Sequence, residues 1–183
     1  MVELSYAVQT QVSRADGELL WPVYNEVFCD QPSVGEWLDE TWDRHSGRDG
    51  FRLVTAAVDE RVVGFGWGYL GERGQWWTDR ISETLAQPVV DAWVGVHFEI
   101  VSLGVVPAAR RHGVGRRLLH HLHEAAPSDR LLLQTADDED DPARRLYESD
   151  GWGVLGPGAS DGTVVMGWRR AEAPERRGSR TRG

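Results

Sequence analysis

The chain has 183 residues, 40% of them hydrophobic, and a formal net charge of −9, which suits one domain with a substantial core and a cleft. That charge argues against general nucleic-acid binding and favours cationic acceptors. No apolar run approaches the roughly 18 residues of a membrane span, no basic-then-apolar leader opens the chain, and the single Cys29 can form no internal disulfide, so a cytoplasmic location is expected.

The alternation in Glu3–Gln9 predicts a first strand. Asp16 is placed to cap a helix through Leu19, Leu20, Val23, Tyr24 and Val27, spaced near 3.6 residues. Cys29 reads as a small buried apolar residue rather than a reactive thiol. Ser33 caps a second helix through Trp37, Leu38 and Trp42, ending before Ser46–Gly50. A hairpin follows, Phe51–Asp59 and Arg61–Leu70, turning at Asp59–Glu60. From Gly71 to Val94 the pattern is irregular, with one short helical stretch around Ile81–Leu85. Phe98–Val106 is a largely apolar run suited to a strand buried on both faces, and Pro107 ends it.

Gly113–Ala126 carries Val114, Leu118, Leu122 and Ala125 at helical spacing. Leu131–Thr135 reads as a strand, Pro142–Ser149 as a helix, and Trp152–Leu155 and Thr163–Trp168 as closing strands. Residues 1–170 thus form one domain without internal repeats. The polar, arginine-rich tail 171–183 is expected to be disordered. His120, His121 and His123 read as a solvated helix surface, because no other metal ligands stand at a recognisable spacing.

The strongest signal is Arg110-Arg111-His112-Gly113-Val114-Gly115-Arg116, after a buried strand and opening a helix. A helix N-terminus offers unpaired N–H groups and partial positive charge to a pyrophosphate. Gly113 and Gly115 allow close backbone approach. A P-loop is excluded because it needs a lysine and every basic residue here is arginine. A dinucleotide fingerprint would need glycine where Leu118 stands.

Arg110-x-x-Gly113-x-Gly115, preceded by Glu99-Ile-Val-Ser-Leu-Gly-Val-Val-Pro107, resembles the acetyl-CoA signature of the GCN5-related N-acetyltransferase (GNAT) superfamily. A second element, Asp140-Asp-Pro-Ala-Arg-Arg-Leu-Tyr147-Glu-Ser-Asp-Gly-Trp152, resembles its usual Asn-x-x-Ala-x-x-Leu-Tyr-Glu-x-x-Gly-Phe. The two cover about a third of the chain. The resemblance implies a mixed α/β, acyl-CoA N-acyltransferase fold, with a central, mainly antiparallel sheet whose fourth and fifth strands splay. It implies acetyl-CoA as donor, with backbone groups of Leu103 and Val105 on the thioester and pantetheine. The pyrophosphate would rest on the amides of Arg111, His112, Gly113, Val114, Gly115 and Arg116, and Arg110 would add charge.

An amine acceptor has a pKa of roughly 10 and must lose a proton before it attacks. The resemblance places the general base at Glu99; a structural carboxylate paired with an arginine is the other reading, and His97 is a second candidate on the same face. Strand alternation puts Glu99 on the face of Leu103 unless a bulge intervenes. Tyr147 matches the tyrosine that approaches the departing sulfur. Asp140 stands where the family often has Asn, inside the acidic run 137–141, which reads as a helix cap ahead of an acceptor lure. Trp67, Trp76, Trp77 and Trp93 fall where this fold builds its acceptor pocket, and they suit either contact with a hydrophobic or cationic acceptor or core packing. The activity implied is N-acetyl transfer to an amine-bearing small molecule or peptide, by a monomer or homodimer. A non-catalytic acyl-CoA-binding module and an O-acyltransferase are the alternatives.

Overall fold

The computed structural model describes residues 4–171. Seven strands form one sheet in the order β1-β2-β3-β4-β5-β7-β6: β1 (Leu4–Gln9), β2 (Arg52–Val58), β3 (Arg61–Gly71), β4 (His97–Val105), β5 (Arg130–Ala136), β6 (Gly153–Pro157) and β7 (Thr163–Arg169). Every neighbouring pair is antiparallel except β4 and β5. The expected mixed fold with a mainly antiparallel sheet is the one observed. The proposed tail lies almost wholly outside the described residues.

Side-chain alternation sorts the core into two layers. Leu131, Leu133, Val164 and Met166 face α6 (Val114–Ala125) and α7 (Pro142–Ser149), with Phe98, Ile100, Leu118, Leu122 and Tyr147. Leu132 and Val165, one residue out of phase, face α4 (Trp76–Thr84) and α5 (Gln87–Trp93). The sequence pattern shows only part of α4 and none of α5; two short helices, the second opening at Pro88, leave too few periodic apolar positions to read.

On that second face, under β2–β4, lie α1 (Arg14–Val27), α2 (Val34–Trp37), a π-helical turn (Leu38–Trp42) and α3 (Asp43–Ser46). The cap of α1 is Ser13, not Asp16: Ser13 Oγ accepts from the Asp16 N–H, and Asp16 Oδ2 accepts from the Ser13 N–H at 2.7 Å, a capping box. Ser33 caps α2 as expected. In an α-helix Trp37 and Trp42 would diverge by about 140°. The wider π turn brings both inward, fully buried, with ring centroids 5.6 Å apart. Cys29 is exposed, contrary to expectation, because it closes α1 at φ 50 and turns outward.

The β2–β3 hairpin turns at Asp59 and Glu60, both at positive φ (46 and 65), as a two-residue primed turn requires. Among the described residues no helix is long and apolar enough to cross a membrane.

Candidate active site

β4 and β5 pair only at Phe98–Leu131 and Glu99–Leu132. Beyond Glu99 the two strands separate, so β4 keeps a free edge facing a wedge-shaped gap. Which groups face it follows from the other edge. The Val106 N–H donates to the Val63 carbonyl of β3 at 2.9 Å. Strand alternation then turns Gly104 towards β3 and the N–H and C=O of Leu103 and Val105 into the gap. The Val105 carbonyl accepts from Arg110 Nε at 2.9 Å, so the cradle's first arginine is tied to the gap's edge.

A bulge does intervene in β4. Trp67 pairs with Ser102 but Gly68 pairs with Ile100, leaving Val101 as the extra residue. Glu99 and Leu103 therefore point to opposite faces: Leu103 packs into the α6 layer, whereas Glu99 joins Tyr69 on the other side. Gly68 makes the bulge possible. A Cβ there would stand 2.2 Å from the Glu99 carbonyl oxygen and 2.7 Å from the Phe98 ring.

Beneath the apex of the gap lies a cavity of about 430 Å³. Glu99, Ile100 and Val101 from β4, Gln134 from β5, Tyr69 from β3, Trp76 and Trp77 from α4, His45 from α3 and Arg48 from the turn after it line it. Glu99 is 6% exposed; its Oε1 lies 3.5 Å from the Tyr69 hydroxyl, and its Oε2 is buried without a partner among the described residues. Burial pushes its pKa up to about 8, against the opposing Arg48 charge and the Tyr69 hydrogen bond. His45 is pushed down to about 4 by burial and by Arg48 and Arg44, and accepts from Trp67 Nε1 at 3.4 Å.

His97 does not line this cavity. It is 0% exposed, packed against Gly71, and pushed down to about 4 by burial and the Arg130 charge. A neutral ring sealed in this way has no path to an acceptor. Trp76 and Trp77 reach the pocket as expected, while Trp67 is core and Trp93 packs near Leu155 under the Arg169 guanidinium. Tyr69, Arg48, His45 and Gln134 were not singled out from sequence, because a loop arginine and a strand tyrosine carry no motif.

At the wide end of the gap, Gly113 opens α6 at φ 78, with no side-chain cap on the helix. The first amides of α6 are therefore free donors. Val114 is buried in the core and anchors that turn. Arg111 adopts φ 65, and the exposed His112 is fixed by a 2.7 Å contact between its Nδ1 and the Arg110 carbonyl. Arg116 Nη2 donates to Ser149 Oγ at 2.7 Å, linking α6 to α7.

Tyr147, on α7, lies in the layer that also holds Ile100 and Leu133, the first residues past the β4–β5 pairing. Burial and the Asp141 charge push its pKa upward, so the hydroxyl keeps its proton. The acidic run is consumed structurally. Asp141 caps α7, accepting from Ala143 and Arg144 N–H at 2.9 and 3.0 Å, and Arg144 pairs with Asp137. Asp140 is 85% exposed and pairs with Arg145. The histidines of α6 are not all solvated: His123 is buried, stacked 4.1 Å from Trp168. Among the described residues no group of three or more potential ligands could hold a metal ion.

Residues 18–152 match the Acetyltransferase (GNAT) family. The chain belongs to this family. A GCN5-like protein acetyltransferase of Mycobacterium tuberculosis is 30% identical to this GNAT chain over 98 residues, 50% of the chain and 48% of the relative. The chain thus spans about half the length of that curated relative. An acetyltransferase structure from Thermus thermophilus superimposes with a TM-score of 0.64 at 14% identity, covering 93% of this chain and 100% of that one. A Salmonella typhimurium structure, solved with its cofactor acetyl-CoA, has a TM-score of 0.59 at 16% identity, covering 92% and 96%. At these identities the likeness concerns the GNAT fold.

The residues present fit acetyl-CoA. A free strand edge can hydrogen-bond an extended amide-bearing arm, and the uncapped α6 terminus suits a diphosphate at one end of that path. The buried acid and the protonated tyrosine both belong to the layers flanking the other end.

Proposed function

We propose that this protein is an N-acetyltransferase that moves an acetyl group from acetyl-CoA directly to an amine, without an acyl-enzyme. The observation that carries the reading is the wedge between β4 and β5, with free α6 amides at its mouth and the Glu99 cavity at its apex. The family and the cofactor-bound relative support acetyl-CoA as donor.

Acetyl-CoA supplies the activated thioester. Arg111 to Arg116 hold its diphosphate with backbone N–H groups, and Arg110 adds charge. The gap-facing amides of Leu103 and Val105 align the arm, and one such N–H stabilises negative charge on the thioester oxygen. Asp140, solvent-facing and paired with Arg145, contributes at most at the edge of this cofactor surface.

The acceptor enters the cavity as an ammonium cation. Glu99 accepts a proton from it; its pKa of about 8 lies close enough to that of an amine for transfer to be efficient. The nitrogen forms its bond to the acetyl carbon as the carbon–sulfur bond breaks. Tyr147 donates a proton to the departing sulfur, and the second proton that the newly bonded nitrogen sheds restores the tyrosine hydroxyl. Exposed Cys29 lies outside the cavity lining and is no acyl carrier.

The test is release of coenzyme A thiol from acetyl-CoA across a panel of amines and alcohols, with donor binding followed by calorimetry. Amine-dependent release supports the reading. Binding without release with any acceptor would make the protein a binding module, and alcohol-dependent release an O-acyltransferase.

A further inference from the structure

The acetyl-transfer reading leaves the acceptor unnamed, and the cavity's charges narrow it. Glu40 and Arg44, at the pocket wall, form an ion pair with each other. Arg48 makes no ion pair among the described residues. Its Nε is buried with no acceptor among those residues. The guanidinium sits 4.7 Å from the centroid of the Tyr69 ring, and the hydroxyl of that ring reaches Glu99. A positive group over the ring face and a carboxyl at the ring edge are thus fixed by one rigid side chain.

A partly dehydrated guanidinium without a carboxylate is an unfilled site, since arginine binds carboxylates through two parallel N–H donors. Two acids and two arginines line the pocket, so the surplus of acid over the whole chain does not extend into it. Trp76 and Trp77 supply an apolar wall at the same mouth.

We propose that the acceptor, under the acetyl-transfer reading, is a free amino acid with an apolar or aromatic side chain. Its amine is placed at Glu99, its carboxylate is held by Arg48, and its side chain lies against Trp76 and Trp77. Arg48 is then the residue that sets specificity.

The experiment uses the full chain with acetyl-CoA and compares leucine and phenylalanine with leucinamide, phenylalaninamide, isoamylamine and phenethylamine. Thiol release gives turnover, and melting shifts with coenzyme A present give binding. The amino acids should exceed their amides and decarboxylated amines at least tenfold in kcat/KM. Arg48→Gln should raise KM for the amino acids at least tenfold, whereas the plain amines should keep their KM and lose rate only through the upward shift of the Glu99 pKa that loss of the Arg48 charge brings. Arg48→Lys should recover part of the loss. Equal or better use of the plain amines, or a preference unchanged in Arg48→Gln, overturns the proposal while leaving acetyl transfer intact. If acetyl-CoA itself fails to bind, the broader reading falls. If it binds but no amino acid is acetylated or shifts melting, the amino-acid assignment falls.

Discussion

Tyr69 stands directly opposite Glu99 in the β3–β4 ladder, its hydroxyl 3.5 Å from the carboxylate. That hydrogen bond favours the ionised acid against the burial that raises its pKa. Tyr69→Phe should therefore move the pH–rate midpoint upward from about 8, lowering activity at neutral pH more than at pH 9. A kcat/KM profile across pH 6–10 checks this, and an unmoved midpoint contradicts the coupling.

Glu99→Gln should remove the rising limb of that profile and slow turnover by about a hundredfold or more near pH 8. Stability should respond with a definite sign. The folded pKa, about 8, exceeds the ordinary 4.5, so the folded state binds more protons between those values and loses stability as pH rises. Below that window the buried acid is neutral in both states and the penalty vanishes. Melting temperatures should show Glu99→Gln gaining on the wild type from pH 5 to pH 8; a constant difference would place the carboxyl in a wetter setting.

Tyr147→Phe should slow turnover by about a hundredfold with acetyl-CoA affinity nearly unchanged, because only the proton donor is lost. Single-turnover rates and calorimetry separate the two quantities. Turnover at the wild-type rate would reduce Tyr147 to a packing residue.

Gly68→Ala should destabilise the fold by about 1–3 kcal/mol or more, because overpacking at a backbone contact must shift the strands. The atom in the way is the carbonyl of Glu99, 2.2 Å from the added Cβ. Urea unfolding would measure the loss. The surviving folded protein should also show an altered pH profile, since the displaced residue is the proposed base.

Much of this architecture was legible from residues. Pro142 and the apolar spacing gave α7, and Gly113 before an amphipathic run gave α6, because local periodicity specifies such elements. The β4 bulge was not legible: one extra residue in a strand leaves no compositional trace, yet it decides which face Glu99 takes. Asp16 was read as the cap when it is the third residue of a box closed by Ser13, a choice that only the hydrogen bonds resolve. Arg48 was missed for a different reason. Its meaning comes from Tyr69 and Glu99, 21 and 51 positions onward.

Two rungs of hydrogen bonding are all that join β1–β4 to β5–β7 along the sheet. An extended ligand lodged between those halves would act as a temporary eighth strand, completing backbone pairing that the polypeptide itself leaves unfinished. Donor occupancy would then be inseparable from mechanical cohesion: each turnover cycle would alternately seal the middle of the sheet and reopen it.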